Sequence, residues 1–158
     1  SYFTAMQTIE SAGVKDSIRL FADSGRPVLG ICLGMQLLSS EGHEGGGAEG
    51  LDLIAGQVEK FKLPEHLFIP HVGWNTINFE REHPVFHKIK NGIDCYFVHS
   101  FHFVCKDDSN CYGTTDYGMD FTSIVGRGNM LGFQFHPEKS QANGLKLLEN
   151  FCDWDGQC

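Results

Sequence analysis

The sequence predicts an α/β protein with a central, mostly parallel sheet and flanking helices, and three observations carry that expectation. Val28, Leu29 and Ile31 form a short apolar run behind the breakers Gly25 and Pro27. Such a run reads as a strand buried on both faces, which is typical of parallel sheets. A helical pattern of Leu33, Met35, Gln36, Leu37 and Leu38 follows at once, so strand gives way to helix at Cys32. A second apolar strand, Asn129 to Phe135, leads to a closing helix marked by Leu145, Leu148 and Phe151, with Ser140 as its expected N-cap.

Between these ends the pattern can be taken in order. Phe3, Met6 and Ile9 recur at helical spacing, with Gly13 placed to end that helix. Val14, Ile18 and Phe21 mark a second short helix. After the Cys32 helix, Glu41 to Gly47 reads as a flexible polar loop, and its position suits a segment covering substrate. Short strands are then expected at Gln57 to Phe61, Phe68 to His71, Asn75 to Phe79 and, as one piece, Tyr96 to Val104. Further strands follow at Tyr112 to Thr115 and Thr122 to Val125, with a turn at Asp116-Tyr117-Gly118. No repeat or linker interrupts residues 1–158, which read as one domain.

Composition narrows the function classes. A net charge of −8 leaves no basic stripe to neutralise phosphates, which excludes a nucleic-acid surface. No apolar run is long enough to span a membrane and no signal-peptide pattern is visible, so a soluble, cytoplasmic protein is expected. The six cysteines contain no Cys-x-x-Cys pair and read as reduced thiols. A zinc site on His83 and His87 is poorly supported, because Pro84 intervenes and no further ligand pattern exists. No metal or cofactor is expected.

Two stretches carry chemistry. Gly30-Ile31-Cys32-Leu33-Gly34 is the cysteine counterpart of the Gly-x-Ser-x-Gly nucleophile elbow, in which a sharp turn presents the nucleophile at the sheet's edge. A helix N-terminus there favours thiolate over thiol. A small core cysteine in a glycine-rich turn fits the same five residues. The second stretch, Phe133-Gln134-Phe135-His136-Pro137-Glu138, decides between them. Pro137 biases His136 towards extended backbone, where residues two apart point the same way. Glu138 can then hold the His136 imidazole by Nδ1 and aim Nε2 at a thiol. Cys32, His136 and Glu138 thus read as nucleophile, general acid/base and orienter.

The blocks Gly-Ile-Cys-Leu-Gly-Met-Gln and Gln-Phe-His-Pro-Glu-Lys-Ser resemble those of class I, triad-type glutamine amidotransferases, over nearly the whole chain. Pro70-His71-Val72-Gly73-Trp74-Asn75 and Tyr96-Phe97-Val98-His99-Ser100 are more specifically similar to glutaminase subunits of imidazole glycerol phosphate synthase. The resemblance implies a flavodoxin-like glutaminase fold and hydrolysis of L-glutamine through a cysteinyl thioester. It also implies a heterodimer that passes ammonia to a (β/α)₈ cyclase in histidine biosynthesis. It assigns the Leu33 N–H to the oxyanion and Gln36, Glu44, Ser100 and Phe101 to the substrate. Phe101 stands where the family more often has Tyr. Trp74, Tyr96 and Lys139 fall on the partner-facing side, although core aromatics and a solvated lysine describe them equally well.

The resemblance further implies a first βα unit, a second strand and a Pro-Gly-Val-Gly-type loop ahead of Ser1. That loop supplies a second oxyanion donor, whose loss typically costs about 10²–10³ in rate. The chain is therefore expected to be part of a longer polypeptide. Two other functions share these motifs: a paralogue feeding surface-polysaccharide sugar amidation, and a catalytically silent subunit that stabilises its partner.

Overall fold

A computed structural model describes every residue from Ser1 to Cys158. The chain opens with helices α1 (Tyr2–Ser11) and α2 (Lys15–Asp23), then strand β1 (Val28–Ile31) and the short helix α3 (Leu33–Leu37). Strands β2 (Glu41–Gly42), β3 (Ala48–Glu49), β4 (Gly56–Lys60), β5 (His71–Phe79), β6 (Ile93–His99) and β7 (Phe101–Cys105) follow. Strands β8 (Cys111–Asp116), β9 (Asp120–Arg127) and β10 (Met130–Phe133) precede the closing helix α4 (Gln141–Asp153).

The α/β class with flanking helices holds. The sheet is mixed: β1 lies parallel to β10 and β2 parallel to β4, while the remaining pairs are antiparallel. The expected parallel arrangement is therefore concentrated around Cys32. The order runs β3-β2-β4-β7-β9-β8-β5-β6, with β10 joining β9 to β1.

Four expectations need correction. Glu41 to Gly47 is no plain loop: β2 pairs with β3 and β4, and Glu44–Gly46 forms a 3₁₀ turn between them. No strand occupies Phe68 to Ile69; β5 begins at His71, after a cis Ile69–Pro70 bond, and runs unbroken to Phe79. Tyr96 to Val104 is two strands broken at Ser100, because β6 pairs with β5 whereas β7 pairs with β4 and β9. The aromatic residues on both faces of that stretch come from a chain that changes neighbours midway. Ser140 precedes α4 but makes no side-chain cap; its hydroxyl serves the site described below.

Two cores hold the layers together. On one face, Tyr2, Met6, Ala22, Met35 and Leu38 pack with Val58 and Phe103. On the other, Phe97, Phe121, Phe133 and Phe135 pack beside Leu147 and Trp154 of the closing segment. Burial of such side chains stabilises by about 1.5–3 kcal/mol each before chain entropy is counted.

A close approach of backbone to backbone lies under α3. Gly30 and Gly132 are register partners on β1 and β10. A Cβ on Gly30 would sit 2.5 Å from the Gly34 carbonyl oxygen and 2.6 Å from the Met35 nitrogen. A Cβ on Gly132 would sit 2.7 Å from Met35 Cγ. The paired glycines let the helix rest directly on the strands, and that seat fixes where Cys32 emerges.

Gly34 behaves differently, since a Cβ there meets no atom within 4 Å. Only the first glycine of the Gly-x-Cys-x-Gly stretch is demanded by sterics. Gly30→Ala should therefore cost about 1–3 kcal/mol through overpacking against fixed backbone. Gly34→Ala should be neutral or stabilising by up to about 1 kcal/mol, as expected for a helix position. Urea titration of both variants checks this, and equal losses would contradict the assigned roles.

Candidate active site

Cys32 occupies the junction of β1 and α3 with φ 51° and ψ −108°, a left-handed conformation that a non-glycine residue rarely adopts. The strain is held from both sides. The Cys32 N–H donates to the Phe133 carbonyl at 2.7 Å, extending the β1–β10 ladder, and its carbonyl accepts from the Gln36 N–H at 3.3 Å. The sulfur is thereby turned out of the ladder at the carboxyl ends of two parallel strands, the edge where open α/β sheets place ligands.

His136 lies three residues beyond Phe133, the last residue of β10. Its Nδ1 is 2.7 Å from Glu138 Oε1, so the imidazole is held by the expected carboxylate. Pro137 starts a 3₁₀ turn over Pro137–Lys139, with His136 extended before it. Three contacts pin this turn to β6. The His136 N–H donates to the Tyr96 carbonyl at 2.9 Å. The Tyr96 N–H donates to Ser140 Oγ at 3.0 Å. Ser140 Oγ donates in turn to the His136 carbonyl at 2.6 Å. The hydroxyl expected to cap α4 instead clamps the imidazole-bearing backbone.

The thiol has its own partners. Gln134 Nε2 donates to Cys32 Sγ at 3.8 Å, and Sγ lies 4.0 Å from the Val98 carbonyl. Burial pushes the Cys32 thiol above its ordinary value of 9.0, with the Glu138 and Glu44 carboxylates adding to the rise. The Leu33 N–H beside the sulfur acts the other way but does not prevail. The expected preference for thiolate is thus corrected. A five-residue helix offers little dipole, and desolvation of the charge is the larger effect.

The remaining candidates are placed as follows. Gln36 is buried, its Nε2 donating to the Phe101 carbonyl at 3.1 Å and to Gln134 Oε1 at 3.0 Å. It joins the start of β7 to Gln134, the residue that donates to the thiol. Glu44 accepts from the Tyr2 N–H at 2.8 Å through one carboxylate oxygen, and its charge reaches Cys32. Ser100 is the break between β6 and β7, and Phe101 opens β7. Trp74 and Tyr96 are register partners on the outer face of β5 and β6, ring centroids 6.0 Å apart, and Lys139 is exposed. His83 is buried and accepts from the Val85 N–H, a structural position.

Gln134 and Ser140 are site residues that the sequence reading did not single out. Gln134 had a visible signal: it lies two residues before His136 and so shares a face with it on an extended chain. A cavity of about 760 Å³ is lined by Phe79, Arg81, His83, Phe86 and His87 and excludes Cys32 and His136. The polar groups that converge on Cys32 lie elsewhere.

A strained cysteine at a strand-to-helix elbow, with a carboxylate-held histidine three residues past the end of the neighbouring parallel strand, defines a cysteine member of the nucleophile-elbow class. The chain belongs to the class-I glutamine amidotransferase family, whose sequence profile matches residues 7–154. It is 45% identical over 151 residues to imidazole glycerol phosphate synthase subunit HisH of Moorella thermoacetica, covering 96% of this chain and 71% of that one. It is 49% identical over 150 residues to the same subunit of Sulfurimonas denitrificans, covering 93% and 72%. Among solved structures, a glutamine amidotransferase of Thermotoga maritima aligns with TM-score 0.66 at 18% identity, covering 97% of this chain and 58% of that one. Another glutamine amidotransferase aligns with TM-score 0.67 at 19% identity, covering 96% and 75%. These structures support the fold.

The raised thiol pKa has a measurable sign. Below it, the thiolate fraction and the rate of alkylation should rise about tenfold per pH unit. Iodoacetamide labelling of Cys32, followed peptide by peptide, should reach half its limiting rate above pH 9.0. Glu138→Gln should move that midpoint down, because a carboxylate that disfavours the thiolate is removed. A wild-type midpoint below pH 9.0 would show a preformed thiolate–imidazolium pair instead.

Proposed function

We propose that this chain is the glutaminase part of an imidazole glycerol phosphate synthase. The observation that carries this is the elbow Cys32 within reach of the charge of Glu138, the carboxylate that holds His136. Identities of 45% and 49% to HisH subunits support the particular pathway. In this reading Cys32 is the nucleophile, His136 the general acid/base and Glu138 its orienter.

The resting thiol is neutral, so attack and proton transfer are coupled. As Sγ bonds to the side-chain amide carbon of glutamine, its proton passes to His136 Nε2. The amide π electrons move onto oxygen, and the Leu33 N–H stabilises that oxyanion. When the C–N bond breaks, His136 returns the proton to nitrogen and ammonia leaves. Water then attacks the γ-glutamyl thioester with His136 as base, and glutamate departs as the thiol re-forms. Glu138 holds the imidazole tautomer and stabilises its cation without itself exchanging the proton.

Ammonia released to bulk water becomes ammonium and ceases to be a nucleophile, so the site should act docked on a synthase subunit. Support for docking comes from the outer face of β5 and β6. Val72 pairs with Val98 and Trp74 with Tyr96, leaving an exposed apolar ladder. A clustered exposed apolar surface of this kind marks an interaction site. Tyr96 belongs to this ladder and clamps His136 through its backbone, which would give docking a short path to the base. A net charge of −8 suits a partner with a basic docking face.

Purified together with its synthase, the protein should hydrolyse glutamine and be inactivated by a glutamine-like diazo-ketone that labels Cys32. Label on Cys95 or Cys152 would overturn the assignment. His136→Ala should lower turnover about 10²–10⁴-fold, and Glu138→Gln should lower it less. Equal and complete losses would give Glu138 a direct chemical role. Lys139→Ala should weaken synthase-stimulated turnover while leaving unstimulated turnover near wild type. Unchanged stimulation would make Lys139 a solvated lysine.

A further inference from the structure

Behind the break between β6 and β7 lies a polar chain that the mechanism above leaves unused. His71 and His99 are register partners on β5 and β6, and both side chains are buried. His99 Nδ1 is 2.8 Å from the Phe101 carbonyl oxygen, which can only accept, so Nδ1 bears the hydrogen. His99 Nε2 is then an acceptor, and His71 Nδ1 lies 2.9 Å from it as donor. His71 Nε2 accepts in turn from Asn75 Nδ2 at 3.2 Å. The Asn75 amide orientation is fixed independently, because Nδ2 also donates to the Asp116 carbonyl and Oδ1 accepts from the Thr76 N–H. Every hydrogen in the chain is assigned with both imidazoles neutral. Burial holds them so, pushing His71 down to about 4 and His99 down to about 3.

The Phe101 carbonyl is where this chain meets the nucleophile's surroundings. It accepts a second hydrogen bond, from Gln36 Nε2 at 3.1 Å. Gln36 also donates to Gln134, whose own Nε2 donates to Cys32 Sγ. Ser100 is the point at which the strand leaves β5 and joins β4 and β9. The bond from His99 Nδ1 to Phe101 spans that break from one residue before it to one residue after. The Ser100 carbonyl also accepts from the Phe61 N–H at 3.1 Å and Phe101 pairs with Lys60, so what the His99 bond adds is a hold on the Phe101 carbonyl that Gln36 shares.

We propose that His99, held in its Nδ1–H tautomer by His71, is a positioning residue for the glutaminase: it fixes the Ser100–Phe101 backbone and the Gln36 brace against the bound glutamine. The inference rests on the glutaminase reading above. It differs from a packing role because it requires a donor at Nδ1 and not merely a ring.

The test compares two substitutions at position 99 in the intact protein with its synthase partner. His99→Phe keeps the ring and removes the donor. His99→Asn keeps a side-chain N–H near the former Nδ1. Loss of one oriented hydrogen bond should raise KM for glutamine about tenfold in His99→Phe, with kcat changed less than about threefold. His99→Asn should bring KM back to within about threefold of wild type. KM unchanged in His99→Phe, a fall in kcat alone, or His99→Asn no better than His99→Phe would each overturn the proposal. If His99→Phe does not fold, long-range ¹H–¹⁵N spectra of the wild-type histidine rings decide. Both His71 and His99 must then be neutral Nδ1–H tautomers, and an Nε2–H tautomer at His99 overturns the inference. Failure of the wild-type protein to hydrolyse glutamine would count against the glutaminase reading instead, and the ring spectra would still judge the tautomers.

Discussion

The seat of α3 on β1 and β10 is the contact on which the rest of the site depends. Two glycines face each other across a parallel pair; the helix backbone lies where a Gly30 side chain would be, and the Met35 side chain where a Gly132 one would be. With the helix that close, the chain has a single residue in which to turn from strand to helix. Cys32 takes the left-handed φ of 51° that this requires. The strain is held by a ladder bond to Phe133 on one side and the first helical bond from Gln36 on the other. The same β1–β10 register carries His136 past the strand end, so one packing constraint sets both halves of the chemistry.

Around that seat the polar groups follow one physical rule. In a poorly solvated interior, neutral hydrogen-bonded groups are cheaper than charges. Buried His71 and His99 are neutral and paired with each other, Gln36 and Gln134 join backbone to thiol, and the thiol is itself pushed towards its neutral form. Charge is confined to the rim, where Glu138 is exposed beside His136. In the proposed mechanism, a neutral resting state suits a nucleophile whose proton must return to a leaving amine later in the cycle. It also spares the site the cost of holding an ion pair between turnovers.

Much of this was legible in the sequence, and the failures have identifiable causes. The elbow, the His136–Glu138 pair and the helices at either end follow from local patterns: apolar runs, glycine breakers and a proline that extends its predecessor. The break at Ser100 was invisible because both halves of the stretch are aromatic and β-forming, and only their neighbours differ. Glu41 to Gly47 reads as a loop because two-residue strands leave no periodicity. The role of Ser140 was misread since a hydroxyl before a helix suits a cap, whereas here Tyr96 and His136 supply stronger local partners. The thiol's direction was misjudged because a pKa depends on burial and on carboxylates brought from distant positions, neither of which a five-residue motif contains.

The outer face of β5 and β6 adds the last constraint. Alternation along a strand sends Trp74 and Tyr96 outward while their neighbours His71, Asn75 and Phe97 serve the interior. A strand pair of this kind cannot move its exposed side without moving its buried side, because one backbone carries both. Tyr96 gives its ring to the outer face while its backbone holds His136 and Ser140. His71 belongs to the strand that bears Val72 and Trp74, and its ring reaches towards Phe101 through His99. Pressure on the apolar ladder therefore has two routes inward, one to the His136 backbone and one to the Phe101 carbonyl. The first passes through backbone hydrogen bonds of Tyr96, and the second through the buried, hydrogen-bonded imidazoles of His71 and His99.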